Sequence, residues 1–149
     1  MAASLSIPSS VADCRIGSRK DSQPPYDYWV LRSLVTVRVS QINWCRFCVD
    51  INSATLLKRG ASFDKVGALE NWREADLFDE RERVALEYAE AVTVTGARVT
   101  DDLMARVAKY FNDDAIVELT ALIAFQNLSS KFNSALDVPA QGFCRLPGP

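Results

Sequence analysis

The chain predicts an all-α fold, a single-domain helical bundle that is oligomeric, and three observations carry that expectation. Beyond Gly60, apolar residues recur at three- and four-residue spacing behind good helix N-cap residues. Over the same stretch no two runs of β-branched residues are joined by turn signals, so nothing supports a sheet. With 149 residues, 48% of them hydrophobic, the chain is long enough for one true core and too short for two comfortable domains. The oligomer follows from the 115–128 stretch, which has more apolar surface than a helix on a small monomer can readily hide.

Residues 1–25 are rich in Ser, carry Pro8, Pro24 and Pro25, and show no lasting period, which reads as an irregular N-terminal arm holding Cys14. From Tyr26 to Ile42 the pattern is double. Leu34 to Ser40 alternates as a strand would, whereas Leu31, Leu34, Val35, Val39 and Ile42 share one helical stripe, and periodicity alone leaves both readings open. The next segment runs without Pro or Gly to Gly60, with Lys58 and Arg59 near its end and Asn43 as the expected N-cap. Ser62 is placed to cap a short helix through Leu69, and Asp79 with Glu82 makes a capping-box start for a helix from Arg81 to Val94. Val84, Ala85, Tyr88, Ala89 and Val92 form its inward stripe, and Gly96 ends the segment. Thr100 caps a further helix with Leu103, Met104 and Val107 inward. Asn112 or Asp113 caps a long last one, where Ile116, Val117, Leu119, Ala121, Ile123, Ala124 and Leu128 leave little polar surface before Phe132. The expected organisation is therefore an arm over 1–25, a helical domain over 26–137 and an irregular tail over 138–149 that carries Cys144.

Composition excludes several classes of function. The net charge is −2 with mixed signs and no basic run, which argues against nucleic acid. No apolar run reaches membrane-spanning length, and Met1 to Lys20 lacks the apolar core of a signal peptide. Four unevenly spaced cysteines do not make a secreted disulfide framework, so the expectation is a soluble, cytoplasmic protein. The chain has no histidine, which removes Ser-His-Asp triads, Cys-His dyads and imidazole metal sites. Any general acid or base must be a carboxylate, Cys, Lys, Tyr or a bound water.

The one spacing that implies chemistry is Cys45-Arg46-Phe47-Cys48. Near a helix N-terminus, free N–H groups and the positive dipole end favour thiolate, and residues three apart share a face. The pair reads as a redox dithiol. Two buried small residues, or half of a zinc site whose second pair is missing, are the competing readings. With Trp44 in front, the motif resembles thioredoxin's W-C-x-x-C, but paired strands and an isolated proline between strands are both missing downstream.

Taken together, L-R-x-L-V-x-x-R-V-S-Q-I-N leading into C-x-x-C-V-D, then E-R-x-A-L-x-Y-A-E-A-V-T, then E-L-T-A-L-I-A-F-Q-N-L-x-x-K-F-N-S-A-L-D-V-P resemble the carboxymuconolactone decarboxylase family, and within it the alkylhydroperoxidase D-like branch. The likeness runs from about Tyr28 to Pro139. It implies an all-α fold in which Tyr28 to Ile42 is helical, and a trimer or hexamer. It also implies thiol peroxidase or disulfide reductase activity without cofactor or metal, on a hydroperoxide or disulfide substrate, with a protein dithiol as reductant. In that branch the second, sheltered cysteine attacks peroxide and the first exchanges with the reductant, which makes Cys48 the peroxidatic and Cys45 the resolving sulfur. The branch's proton relay, a Glu twelve residues before the first Cys and a His four after the second, falls here on Ser33 and Asn52. Neither exchanges a proton near neutral pH. Arg38 and Arg46 are candidate thiolate stabilisers, Asp50 a candidate proton acceptor, and Trp44 and Phe47 are expected to line a pocket wall or pack inward. A non-catalytic redox-sensing or assembly module is the alternative function, and a lactone decarboxylase-like enzyme the third.

Overall fold

The computed structural model describes residues 26–145. The expected arm over 1–25, with Cys14, and the tail's Pro147 and Pro149 lie outside the described residues. Six α-helices follow one another: α1 Tyr26–Ile42, α2 Arg46–Lys58, α3 Phe63–Ala68, α4 Glu80–Thr93, α5 Asp101–Ala108 and α6 Asp113–Ala135, with a 3₁₀ turn Leu69–Asn71 after α3. Among the described residues there is no strand, and no helix is long and apolar enough to cross a membrane.

Local chemistry sets most of the helix starts. Ser62 accepts the Lys65 N–H, Thr100 the Leu103 N–H and Asn112 the Ala115 N–H, each satisfying a donor that the first turn leaves open. Asp79 and Glu82 close a reciprocal capping box, and the Glu82 carboxylate also takes Lys65 Nζ at 2.6 and 2.7 Å, tying α3 to α4. At the end of α2, Gly60 adopts φ 94°, the left-handed turn that the sequence position calls for.

α1 resolves its double pattern by being buried on two sides. Leu31, Val35 and Val39 enter one core cluster with α4, α5 and α6, including Tyr88, Val107 and Ile123. Val30, Leu34 and Val37 enter a second, with Leu56 of α2, Val66 of α3 and Trp72. A helix with two apolar faces has no single stripe, so its residues also satisfy a period of two. Between the clusters sits Glu90 of α4, bonded to Arg38 Nε at 2.8 Å, Trp72 Nε1 at 2.9 Å and Arg73 Nη2 at 2.7 Å. Burial pushes its carboxyl up, but the bonds from Arg73, Trp72 and Arg38 outweigh that and hold it below the usual range.

The inward stripe of α6 is Leu119, Ile123, Gln126 and Ser130, apolar in the first half and polar in the second. Val117, Ala121, Ala124 and Leu128 face outward, together with Phe125 and Phe132, so the helix carries more apolar surface than the chain hides. An apolar run all round a helix does not say which side meets the core, and in the second half of α6 the polar side does.

Candidate functional site

The turn between α1 and α2 puts the two cysteines together. Trp44 takes φ 55°, an uncommon conformation for a residue with a side chain, and the Cys45 N–H returns to Ser40 O at 3.1 Å. Helix α2 begins two residues later than Asn43 would place it. Cys45 is the N-cap, its Sγ accepting the Cys48 N–H at 3.1 Å in place of the usual oxygen, while Asn43 instead bonds Val39 O and Asn127. Cys45 and Cys48 form a disulfide with Cα atoms 5.2 Å apart, and both are almost fully buried.

The two sulfurs differ in surroundings. Cys45 lines a cavity of about 570 Å³ with Trp44, Arg46, Val49 and Ser53 of the same region and Cys144 of the tail. Cys48 lies under α6, with Asn133 Nδ2 3.6 Å from its sulfur. That amide is held in turn by Ser129 O at 2.9 Å.

The two relay positions have separate partners. Ser33, buried in α1, accepts from Arg59 Nη1 at 2.7 Å. Asn52 Nδ2 donates to Ser40 Oγ at 3.1 Å, as does Gln126 Nε2 at 3.1 Å, while Ser40 Oγ donates to Thr36 O at 2.7 Å. The Ser40 hydroxyl thus uses its one proton and both lone pairs. Where the branch has an ionisable relay, Asn52 joins a network of neutral groups and Ser33 is held by a guanidinium.

The expected charged helpers are placed elsewhere. Arg38 is held by the half-buried carboxylate of Glu90 at 2.8 Å and by Gln41 Oε1 at 3.2 Å, and neither partner is a sulfur. Arg46 lines the cavity but pairs with Asp137 at 2.7 Å on the surface. Asp50, the candidate proton acceptor, is buried, and both its oxygens are used. They accept backbone N–H bonds from Gln141 at 2.8 Å, Phe143 at 3.1 Å and Cys144 at 2.7 Å. Burial raises its pKa, but these tail amides more than offset that and leave the carboxyl below its ordinary value. It clamps the tail and is not free to take a proton from sulfur. Trp44 is exposed at the cavity wall and Phe47 is half-buried.

Asn133, Arg59, Gln126 and the Asp50 clamp were not singled out from sequence. One signal pointed to α6: Gln126, Ser130 and Asn133 stand at i, i+4 and i+7, a polar stripe in an otherwise apolar helix. Burial pushes the Cys144 thiol up, and the charge of Asp50 adds to it. Among the described residues no three His, Cys, Asp or Glu side chains gather as a metal site.

Known proteins fit this architecture. The model of the carboxymuconolactone decarboxylase family matches residues 29–91. The uncharacterised protein YnjA of Escherichia coli is 53% identical over 118 residues, which make up 79% of this chain and 65% of that protein, so the chain spans just under two thirds of its length. The uncharacterised protein YdfG of Bacillus subtilis is 32% identical over 106 residues, covering 70% of this chain and 72% of that protein. Among solved structures, a protein of unknown function from Agrobacterium tumefaciens, proposed to be the antioxidant defence protein AhpD, superposes with a TM-score of 0.69 at 28% identity, over 77% of this chain and 85% of that one. The chain belongs to the carboxymuconolactone decarboxylase family and has the fold of its alkylhydroperoxidase D-like branch.

Proposed function

We propose that the protein is a thiol-dependent peroxidase and disulfide oxidoreductase whose redox centre is Cys45–Cys48. The observation that carries this is the pair itself: two cysteines bonded at the start of α2, one facing a cavity and the other sheltered beneath α6. In the reduced state the Cys48 thiolate attacks the terminal oxygen of a hydroperoxide, breaking the O–O bond to leave a sulfenic acid and releasing an alcohol or water. Cys45 then displaces water to close the disulfide. A protein dithiol reduces it by attack at Cys45, the sulfur on the cavity.

No titratable group occupies the relay positions, so thiolate at Cys48 rests on the Asn133 amide and the start of α2, and turnover is slow. The outward apolar stripe of α6 supports assembly as a homo-oligomer. The test is consumption of hydrogen peroxide and of an organic hydroperoxide by the full chain, with a thioredoxin-like protein as reductant. Consumption that Cys48→Ser abolishes supports the reading. A disulfide that opens and closes without any consumption refutes it in favour of a redox-responsive module lacking turnover.

A further inference from the structure

Two cysteines line one cavity: the disulfide-bonded Cys45 and Cys144, whose thiol is free. They come from opposite ends of the domain and are brought together by α2. Asp50 lies five residues beyond Cys45 and holds the backbone of residues 141–144 through three N–H bonds, the shortest of them from Cys144 itself. A carboxylate more than nine-tenths buried, with both oxygens given to the tail, fixes where that thiol sits relative to the disulfide helix. Cys48 is not part of this wall; it is covered from the α6 side.

We propose that Cys144 is a third redox cysteine of this site, a nucleophile that exchanges with the Cys45–Cys48 disulfide by attack on Cys45. This rests on the reading of Cys45–Cys48 as a redox pair, and deepens it. The Cys144 thiol loses its proton to solvent in the open cavity, and its thiolate forms a bond to Cys45 Sγ as the Cys45–Cys48 bond breaks. The electron pair leaves on Cys48 Sγ, which the Asn133 amide faces and which takes up a proton. No net oxidation or reduction occurs. Cys48 is returned as a thiol, and the oxidising equivalent moves to a sulfur of the tail, at the cavity and within reach of a protein dithiol. Attack is directed at Cys45 because that residue lines the cavity, whereas Cys48 is covered from the α6 side.

The experiment uses the full chain with Cys14→Ser, so that no other thiol competes. In this parent, mild oxidation with diamide should protect Cys45 and Cys48 from brief alkylation, which tests the redox pair on its own. Adding Cys48→Ser should then yield an intrachain Cys45–Cys144 disulfide, seen as a loss of two hydrogens mapped to that peptide pair. In the oxidised parent, incubated at about pH 8 without alkylating agent and then quenched in acid, peptide mapping should find a Cys45–Cys144 linkage beside the Cys45–Cys48 one, and Cys144→Ser should remove it. If the parent's disulfide closes but Cys45 and Cys144 both stay alkylatable in the Cys48→Ser chain, and no Cys45–Cys144 linkage forms in the parent, the exchange is refuted and the redox pair stands. If the parent's disulfide never closes, both are overturned.

Discussion

Asn133 on α6 holds its side-chain amide 3.6 Å from the sulfur of Cys48, a residue 85 positions earlier in the chain. An N–H donor aimed at sulfur favours the thiolate once the disulfide opens. Asn133→Leu should therefore raise the Cys48 pKa and slow its reaction with peroxide by about tenfold, the equivalent of one hydrogen bond of about 1.4 kcal/mol. The pH dependence of alkylation of the reduced protein at Cys48 measures the shift. An unchanged profile would show that this amide only packs.

The missing relay can be restored, and the structure shows what must be cleared first. Ser33→Glu with Asn52→His should raise peroxidase turnover by roughly 10²-fold, as a positioned acid–base group does. The Arg59 guanidinium, 2.7 Å from Ser33 Oγ, would capture the new carboxylate and keep it ionised. Adding Arg59→Leu should release it, so the triple variant should outpace the double one. Steady-state peroxide consumption separates them, and equal rates would mean that Arg59 does not hold the introduced group.

Asp50 couples the tail to acid. Its carboxyl titrates lower in the folded chain than in the unfolded one, so its contribution to stability is whole above the unfolded value of about 4 and is lost as pH falls through the lower folded value. Glu90, held down by Arg73, Trp72 and Arg38 against its burial, and Glu87, held down by Arg106, act in the same sense. The unfolding midpoint should thus stay flat above about pH 4 and drop below it. In Asp50→Ala, amide exchange at Phe143 and Cys144 should quicken about tenfold or more at neutral pH while α1 stays protected, which hydrogen-exchange NMR reads directly.

The outward stripe of α6, with Phe125, Leu128, Phe132 and Leu136 each more than 60% exposed, is expected to bind a second copy of the chain. Light scattering should give a mass above the 16.5 kDa of one chain, and Phe125→Glu with Phe132→Glu should bring it down to that value without loss of helix content. A wild-type monomer in dilute solution would sink this expectation.

Features written in neighbouring residues were legible beforehand. The caps at Ser62, Asp79, Thr100 and Asn112 each act within three residues, and the cysteine pair within one turn of helix, so spacing alone exposes them. Features that depend on which helices meet were not. Tyr26–Ile42 stayed ambiguous because a helix buried on two faces loses its single stripe. The start of α2 was placed at Asn43 because asparagine is a favoured cap, yet the sulfur of Cys45 does that work. The inward side of α6 was not legible because a helix apolar nearly all round marks no side, and Gln126, Ser130 and Asn133 turn inward there around Ser40 and Cys48. Asp50 was read as a candidate proton acceptor and not as a clamp, since its partners lie more than 90 residues away.

The turn that begins the site also makes it visible. Trp44 is 84% exposed, sits beside Cys45 in the chain and shares its cavity, whereas Trp72 is buried and bonded to Glu90. An excited indole passes an electron more readily to a nearby disulfide than to a thiol, so the Trp44 ring is dimmer while the sulfurs are joined. Trp29, 39% exposed, adds a red background, the buried Trp72 emits to the blue, and neither lines the cavity. A rise in red emission over blue therefore reports the opening of this disulfide in the unlabelled chain, in real time.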